Sequence, residues 1–164
     1  MSLSSKTVRA QLALLRPVLS SCSLETIRKG QEKLGELTGV RCRRQITVKT
    51  HSFTQFDAAW CIPKDERRQG VVLYLHGGGY TCGQLDYAQG YGSMLASMLG
   101  VRVFAPAYRL APEHPYPAAP EDALEAYKYL LSKGYQKITL CGESAGGGLC
   151  YNLCIQLRQL ALPM

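Results

Sequence analysis

Three short apolar runs, Val71 to Leu75, Val101 to Ala105 and Ile138 to Cys141, constrain the fold of this chain more than any other feature. Each is too short for a helix and mostly lacks the polar alternation of a strand with one wet face, so each reads as a strand covered on both sides. Helical spacing fills the gaps between them: Tyr91, Met94, Leu95, Met98 and Leu99 share one face, then Ala123, Tyr127 and Leu130. Leu149, Leu153 and Leu157 mark a further helix after the last run. Strand and helix in alternation predict an α/β fold, a mostly parallel sheet with helices on both faces and right-handed crossovers. Ligands of such sheets bind outside the carboxyl ends of the strands.

Upstream of these runs the pattern differs. From Gln45 the period becomes two, with Ile46 and Val48 alternating with polar neighbours, and Ala58 to Ile62 reads as the partner strand. The first forty residues read as two helices. One carries Val8, Leu12 and Leu15, and the other starts at Ser23 as N-cap, places Leu24, Ile27, Leu34 and Leu37 on one stripe and ends at Gly39. Residues 1–40 are thus expected to form a helical segment, lid or brace, ahead of one α/β core over 41–164.

Charge and cysteine usage narrow the function classes. The net charge is +7, but the densest basic run, Arg41, Arg43, Arg44 and Lys49, has no interleaved aromatics and no zinc or helix-turn-helix pattern, so no nucleic-acid partner is expected. Seven cysteines form no CxxC pair and are odd in number, which suits reduced thiols in a cytoplasmic protein; Cys150 and Cys154, four apart, are expected to pack in the core. The apolar stretch Leu12 to Leu15 is broken by Arg16 and Pro17, too short for a signal peptide or a membrane span.

Two glycine-rich loops follow predicted strands. In Gly142-Glu143-Ser144-Ala145-Gly146 the serine stands between a strand and a helix, the context in which this spacing holds a hydroxyl up on a sharp, strained turn as a nucleophile. In His76-Gly77-Gly78-Gly79 the main chain can approach a substrate closely, so the amides of Gly78 and Gly79, with that of Ala145, are candidate donors to a tetrahedral oxyanion. His76 and Gly77 support that loop. Phosphate-loop chemistry is excluded, since Gly148-Leu149 stands where Lys-Ser/Thr is needed, and Cys82 replaces the third glycine of a dinucleotide loop.

Together with Tyr108-Arg109-Leu110-Ala111-Pro112-Glu113-His114-Pro115, Pro117-Ala118-Ala119 and Glu121-Asp122, these motifs resemble the hormone-sensitive-lipase-like esterases, the α/β-hydrolase fold-3 family, from about residue 70 to 155. The resemblance implies hydrolysis of carboxylic esters, usually of short acyl chains, with no metal or organic cofactor and with N-terminal helices capping the acyl pocket. Glu143 stands where the family more often has aspartate. His114 reads as a scaffold residue within a proline-blocked, extended stretch, and His51 as surface.

The family order places the triad acid and histidine after the nucleophile. The chain runs twenty residues past Ser144 and offers no match to either, so an inactive, incomplete core is expected, with the Ile138 strand as a bare edge prone to self-association. A ligand-binding protein without catalysis, as the family's resemblance to the plant gibberellin receptor suggests, is the alternative.

Overall fold

The computed structural model describes Ala13 and residues 21–163. Helix α1 (Leu24–Cys42) is followed by strands β1 (Ile46–Ser52), β2 (Asp57–Pro63) and β3 (Val71–Leu75), helix α2 (Leu85–Leu99), strand β4 (Arg102–Pro106), helix α3 (Ala118–Ser132), strand β5 (Ile138–Gly142) and helix α4 (Ala145–Gln159). The predicted helix at Val8, Leu12 and Leu15 lies outside the described residues. One five-stranded sheet runs in the order β1-β2-β4-β3-β5. It is parallel in β4-β3-β5 and antiparallel in β1-β2-β4. β5 pairs with β3 alone among the described strands and forms one edge.

Alternation along β3 divides the core into two layers. Val71, Leu73 and Leu75 face the apolar stripes of α3 and α4, and Ala123, Tyr127, Leu130, Leu149, Leu153 and Leu157 are all buried there. Val72 and Tyr74 face α2, with Val103, Ala105 and Cys61 beside them.

The α2 layer follows its expected pattern only in part: Tyr91, Met94 and Leu95 are half-buried and pack against the core. The predicted stripe on α2 points outward at its end, Met98 being 70% exposed, while Ala88, Gly92 and Ala96 are buried. A Cβ on Gly92 would stand 3.1 Å from Cys61 Sγ and 3.2 Å from Ala105 Cβ, so small residues let this helix lie close on the sheet. Likewise α1 begins at Ser23, whose hydroxyl accepts from the Thr26 amide, but Ile27, Leu34 and Leu37 are exposed, and the helix passes through Gly39 to Cys42. Gly39 does not stop it but faces α2 from within the helix, where a Cβ would stand 3.6 Å from the Cα of Gly90. Gly35 and Gly90 are in closer contact still: a Cβ on either would overlap the other helix's main chain.

Three smaller expectations are corrected. His51 is half-buried rather than on the surface, stacked on Tyr129 at 4.1 Å between ring centroids and edge-on to Phe53. Cys154 is exposed while Cys150 is half-buried against the core, and all seven cysteines are free thiols. β4 starts at Arg102, one residue after the expected Val101.

Candidate active site

Both glycine-rich loops lie at the carboxyl ends of neighbouring strands, Gly77 to Gly79 after β3 and Ser144 after β5. Ser144 has φ 52° and ψ −121°, a backbone conformation that L-residues seldom adopt, and its residue is exposed. Such strain persists only where the surroundings fix it. Here Gly146 does so, because any Cβ at this position would collide with the carbonyl of Leu75. The loops touch directly: a Cβ on Gly77 would lie 2.8 Å from Glu143 O and 3.2 Å from Ser144 Cβ.

A side chain also joins them. Glu143 Oε1 accepts from the Gly77 amide at 2.7 Å and from the Tyr87 hydroxyl at 3.2 Å, so the residue beside the serine is tied to the loop across from it. Tyr80, itself at φ 60°, donates its hydroxyl to the Ala145 carbonyl at 2.9 Å. The amides of Gly77, Gly146 and Gly147 are therefore engaged, the last two by the carbonyls of Glu143 and Ser144. Among the described residues no hydrogen bond takes up the amides of Gly78, Gly79 or Ala145. Gly78 reaches φ 121°, where only glycine is at ease, and its carbonyl receives the amides of Thr81 and Cys82 in a tight turn.

His76 lies beneath this turn with no exposed surface. Its Nδ1 donates to the Gly77 carbonyl at 2.8 Å, its ring stacks on Tyr108 at 4.1 Å, and its Nε2 has no hydrogen-bond partner. Burial lowers its pKa to about 4, so the imidazole is neutral at pH 7. Tyr108 in turn donates to the His76 carbonyl at 2.6 Å, and burial pushes its phenol up. Burial and the Glu143 carboxylate do the same to the Tyr74 phenol.

The stretch after β4 is anchored by Arg109 and Asp122. Asp122, 1% exposed, accepts from the Arg109 amide at 2.7 Å and from its Nε and Nη2 at 2.9 and 2.7 Å. An apolar cavity of about 400 Å³ opens beside Gly79 and Tyr80, lined also by Ala111, Tyr116, Leu149 and Asn152. His114 is exposed on its rim. All three histidines are thus placed, and none is hydrogen-bonded to Ser144. Among the described residues no group of His, Cys, Asp and Glu is arranged to hold a metal ion, and no helix is long and apolar enough to cross a membrane.

Sequence reading brought Ser144, Ala145 and residues 76–79 to one place, and the structure groups them. It missed Glu143 as a link, together with Tyr80 and Tyr108, whose partners lie 65 and 32 residues away in sequence. Arg28, Gln31 and Glu32 of α1 were also missed. Arg28 donates to the carbonyls of Thr81 and Ala111, Gln31 reaches the Gly77 carbonyl at 3.5 Å, and Glu32 accepts from the amides of Gln84, Asp86 and Tyr87 at the start of α2. The only sequence signal was their spacing of three and four, which puts them on one helix face.

This combination of sheet order, strained serine and glycine loop is that of the α/β hydrolases. The chain belongs to the α/β hydrolase fold family, whose model matches residues 72–164, and within it to the hormone-sensitive-lipase-like group. It is 41% identical over 139 residues to an acetyl-hydrolase of Streptomyces hygroscopicus, covering 83% of this chain and 44% of that protein. It superposes on an esterase/lipase from an uncultured bacterium with a TM-score of 0.78 at 34% identity, covering 88% of this chain and 48% of the other. An esterase of the bacterial hormone-sensitive lipase family gives 0.76 at 31% identity, covering 100% and 56%. The chain therefore spans about half the length of the relatives it matches.

Proposed function

We propose that these residues form the nucleophile and oxyanion half of a carboxylic ester hydrolase. The observation that carries the reading is the pairing of an exposed serine at φ 52° with three unengaged amides, Gly78, Gly79 and Ala145, on the two loops that meet beside it. The Ser144 hydroxyl attacks the ester carbonyl, the carbonyl oxygen becomes an oxyanion received by those amides, and the alcohol leaves, giving an acyl-serine that water hydrolyses. Each oxyanion donor contributes roughly 2.7–4 kcal/mol to the transition state. His76 is a support of the loop rather than a base, because its one donated bond goes to Gly77 and its burial disfavours the cation a base must become. The apolar cavity beside Gly79 offers room for a short acyl or alkoxy group, in keeping with the acetyl-hydrolase among the relatives. No cofactor is needed for these steps.

Deprotonation of Ser144 requires a base, and none of the three histidines is in place for it. A serine hydrolase lacking its histidine loses on the order of 10⁶ in turnover. Hydrolysis of p-nitrophenyl acetate and butyrate by these 164 residues alone is accordingly expected to be about that much slower than by the longer relatives, with Ser144→Ala adding little to the loss, while slow acylation by p-nitrophenyl butyrate should leave an acyl group on Ser144 that peptide mass spectrometry detects. Acylation of the unaltered chain at other residues, with Ser144 unmodified, would overturn the assignment. The same lack of a base favours a second reading, a pocket that holds a small ligand without turning it over. Saturable binding of an ester by Ser144→Ala and the unaltered chain alike, with no acyl-serine in the latter, would select it.

A further inference from the structure

The Arg28 guanidinium reaches two loops from a third element. Its Nε donates to the Thr81 carbonyl at 2.6 Å and its Nη2 to the Ala111 carbonyl at 2.8 Å. Glu113 closes the arrangement with a bidentate pair at 2.8 and 2.7 Å. The two carbonyls already belong to adjoining chains, since the Ala111 amide donates to Tyr80 O at 2.8 Å. Thr81 lies in the turn whose first carbonyl is that of Gly78, so the guanidinium ties down the far end of the loop that carries Gly78 and Gly79. Its support does not move with the loop: α1 is fixed to α2 by Glu32 on the α2 amides and by the Gly35–Gly90 contact.

We propose that Arg28 is a positioning residue for the oxyanion loop, acting through the carbonyls of Thr81 and Ala111 and so setting the direction of the Gly78 and Gly79 amides. The inference rests on the reading of those amides as oxyanion donors. A guanidinium suits this work because its fixed fork makes four hydrogen bonds at once, two to a carboxylate and two to carbonyls, one more than the three donors of an ammonium allow. The ion pair itself contributes little, because Glu113 is 54% exposed. The Arg28 side chain is 18% exposed, and its two carbonyl bonds are the ones shielded from water.

Amide hydrogen exchange on the intact 164-residue chain tests this without any ester. The amides of Thr81, Cys82 and Ala111 are hydrogen-bonded within the clamped region and exchange when it opens. Arg28→Ala is expected to speed them by roughly ten- to a hundredfold, while β3 and the Asp86 and Tyr87 amides held by Glu32 keep their protection. Arg28→Lys is expected to recover part of the loss, and Glu113→Gln to change it by less than about fivefold. Unchanged loop exchange in Arg28→Ala would overturn the proposal. So would a loss spread equally over β3 and α2, or an effect of Glu113→Gln as large as that of Arg28→Ala. Because no turnover is read, failure here leaves the ester reading standing, and an inactive protein does not obscure the result.

Discussion

The two faces of the sheet are packed by different means. On one, α3 and α4 press large apolar side chains, Leu130, Leu149, Leu153 and Leu157, into the sheet. On the other, α2 approaches through Ala88, Gly92 and Ala96, and α1 docks on α2 through Gly35, Gly39 and the Glu32 carboxylate, while Arg28 and Gln31 tie α1 to the loops after β3 and β4. The first face derives its hold from apolar area removed from water. The second derives it from close main-chain approach and from hydrogen bonds that end on backbone groups. Both loops of the candidate site sit above this sheet, so Ser144 stands on the side packed by area and Gly78 and Gly79 on a loop held from the polar side.

Truncating the first face should give the largest effect: Leu153→Ala, fully buried on α4, is expected to cost about 2–5 kcal/mol in denaturant unfolding. A cost below 1 kcal/mol would mean that area is not what holds α4. His76, where the layers meet, adds a pH dependence whose sign is fixed by its lowered pKa. Between about pH 6.5 and 4 the unfolded chain binds a proton that the folded one refuses, so stability falls as pH falls through that window, by about 3 kcal/mol, and levels off below it. His76→Gln should flatten this part of the profile relative to the unaltered chain; an unchanged slope would assign it to other groups. Adding one methyl group to the second face, Gly90→Ala, is expected to cost about 1–3 kcal/mol, because the Gly35 main chain must give way. Met98→Ala, at the exposed end of α2, should stay within about 0.5 kcal/mol, although hydrophobic spacing alone would place Met98 in the core.

These contrasts also mark what the sequence made legible. β3 and β5, the stripes of α3 and α4, and the positions of both glycine-rich loops at strand ends could be read because large apolar residues and glycine punctuation report packing and turns directly. On α1 and at the end of α2 the same rule pointed the wrong way. Where backbones approach closely, the contact face is glycine and alanine, and the larger residues Leu34, Leu37 and Met98 are left outside. Gly39 read as a stop for the same reason. The ties that assemble the site, Glu143 to Gly77 and Arg28 to Thr81 and Ala111, join residues 66, 53 and 83 apart and leave no local trace in the chain.

The role of Ser144 is tested most directly by mapping where an acylating or phosphonylating reagent attaches. Prolonged treatment with excess fluorophosphonate in the presence of imidazole, which supplies a general base from solution, followed by peptide mass spectrometry, should place a single adduct on Ser144 and none on the chain carrying Ser144→Ala. Modification of the unaltered chain at other serines or tyrosines, at a rate that Ser144→Ala leaves unchanged, would contradict the nucleophile assignment and with it the ester hydrolase reading.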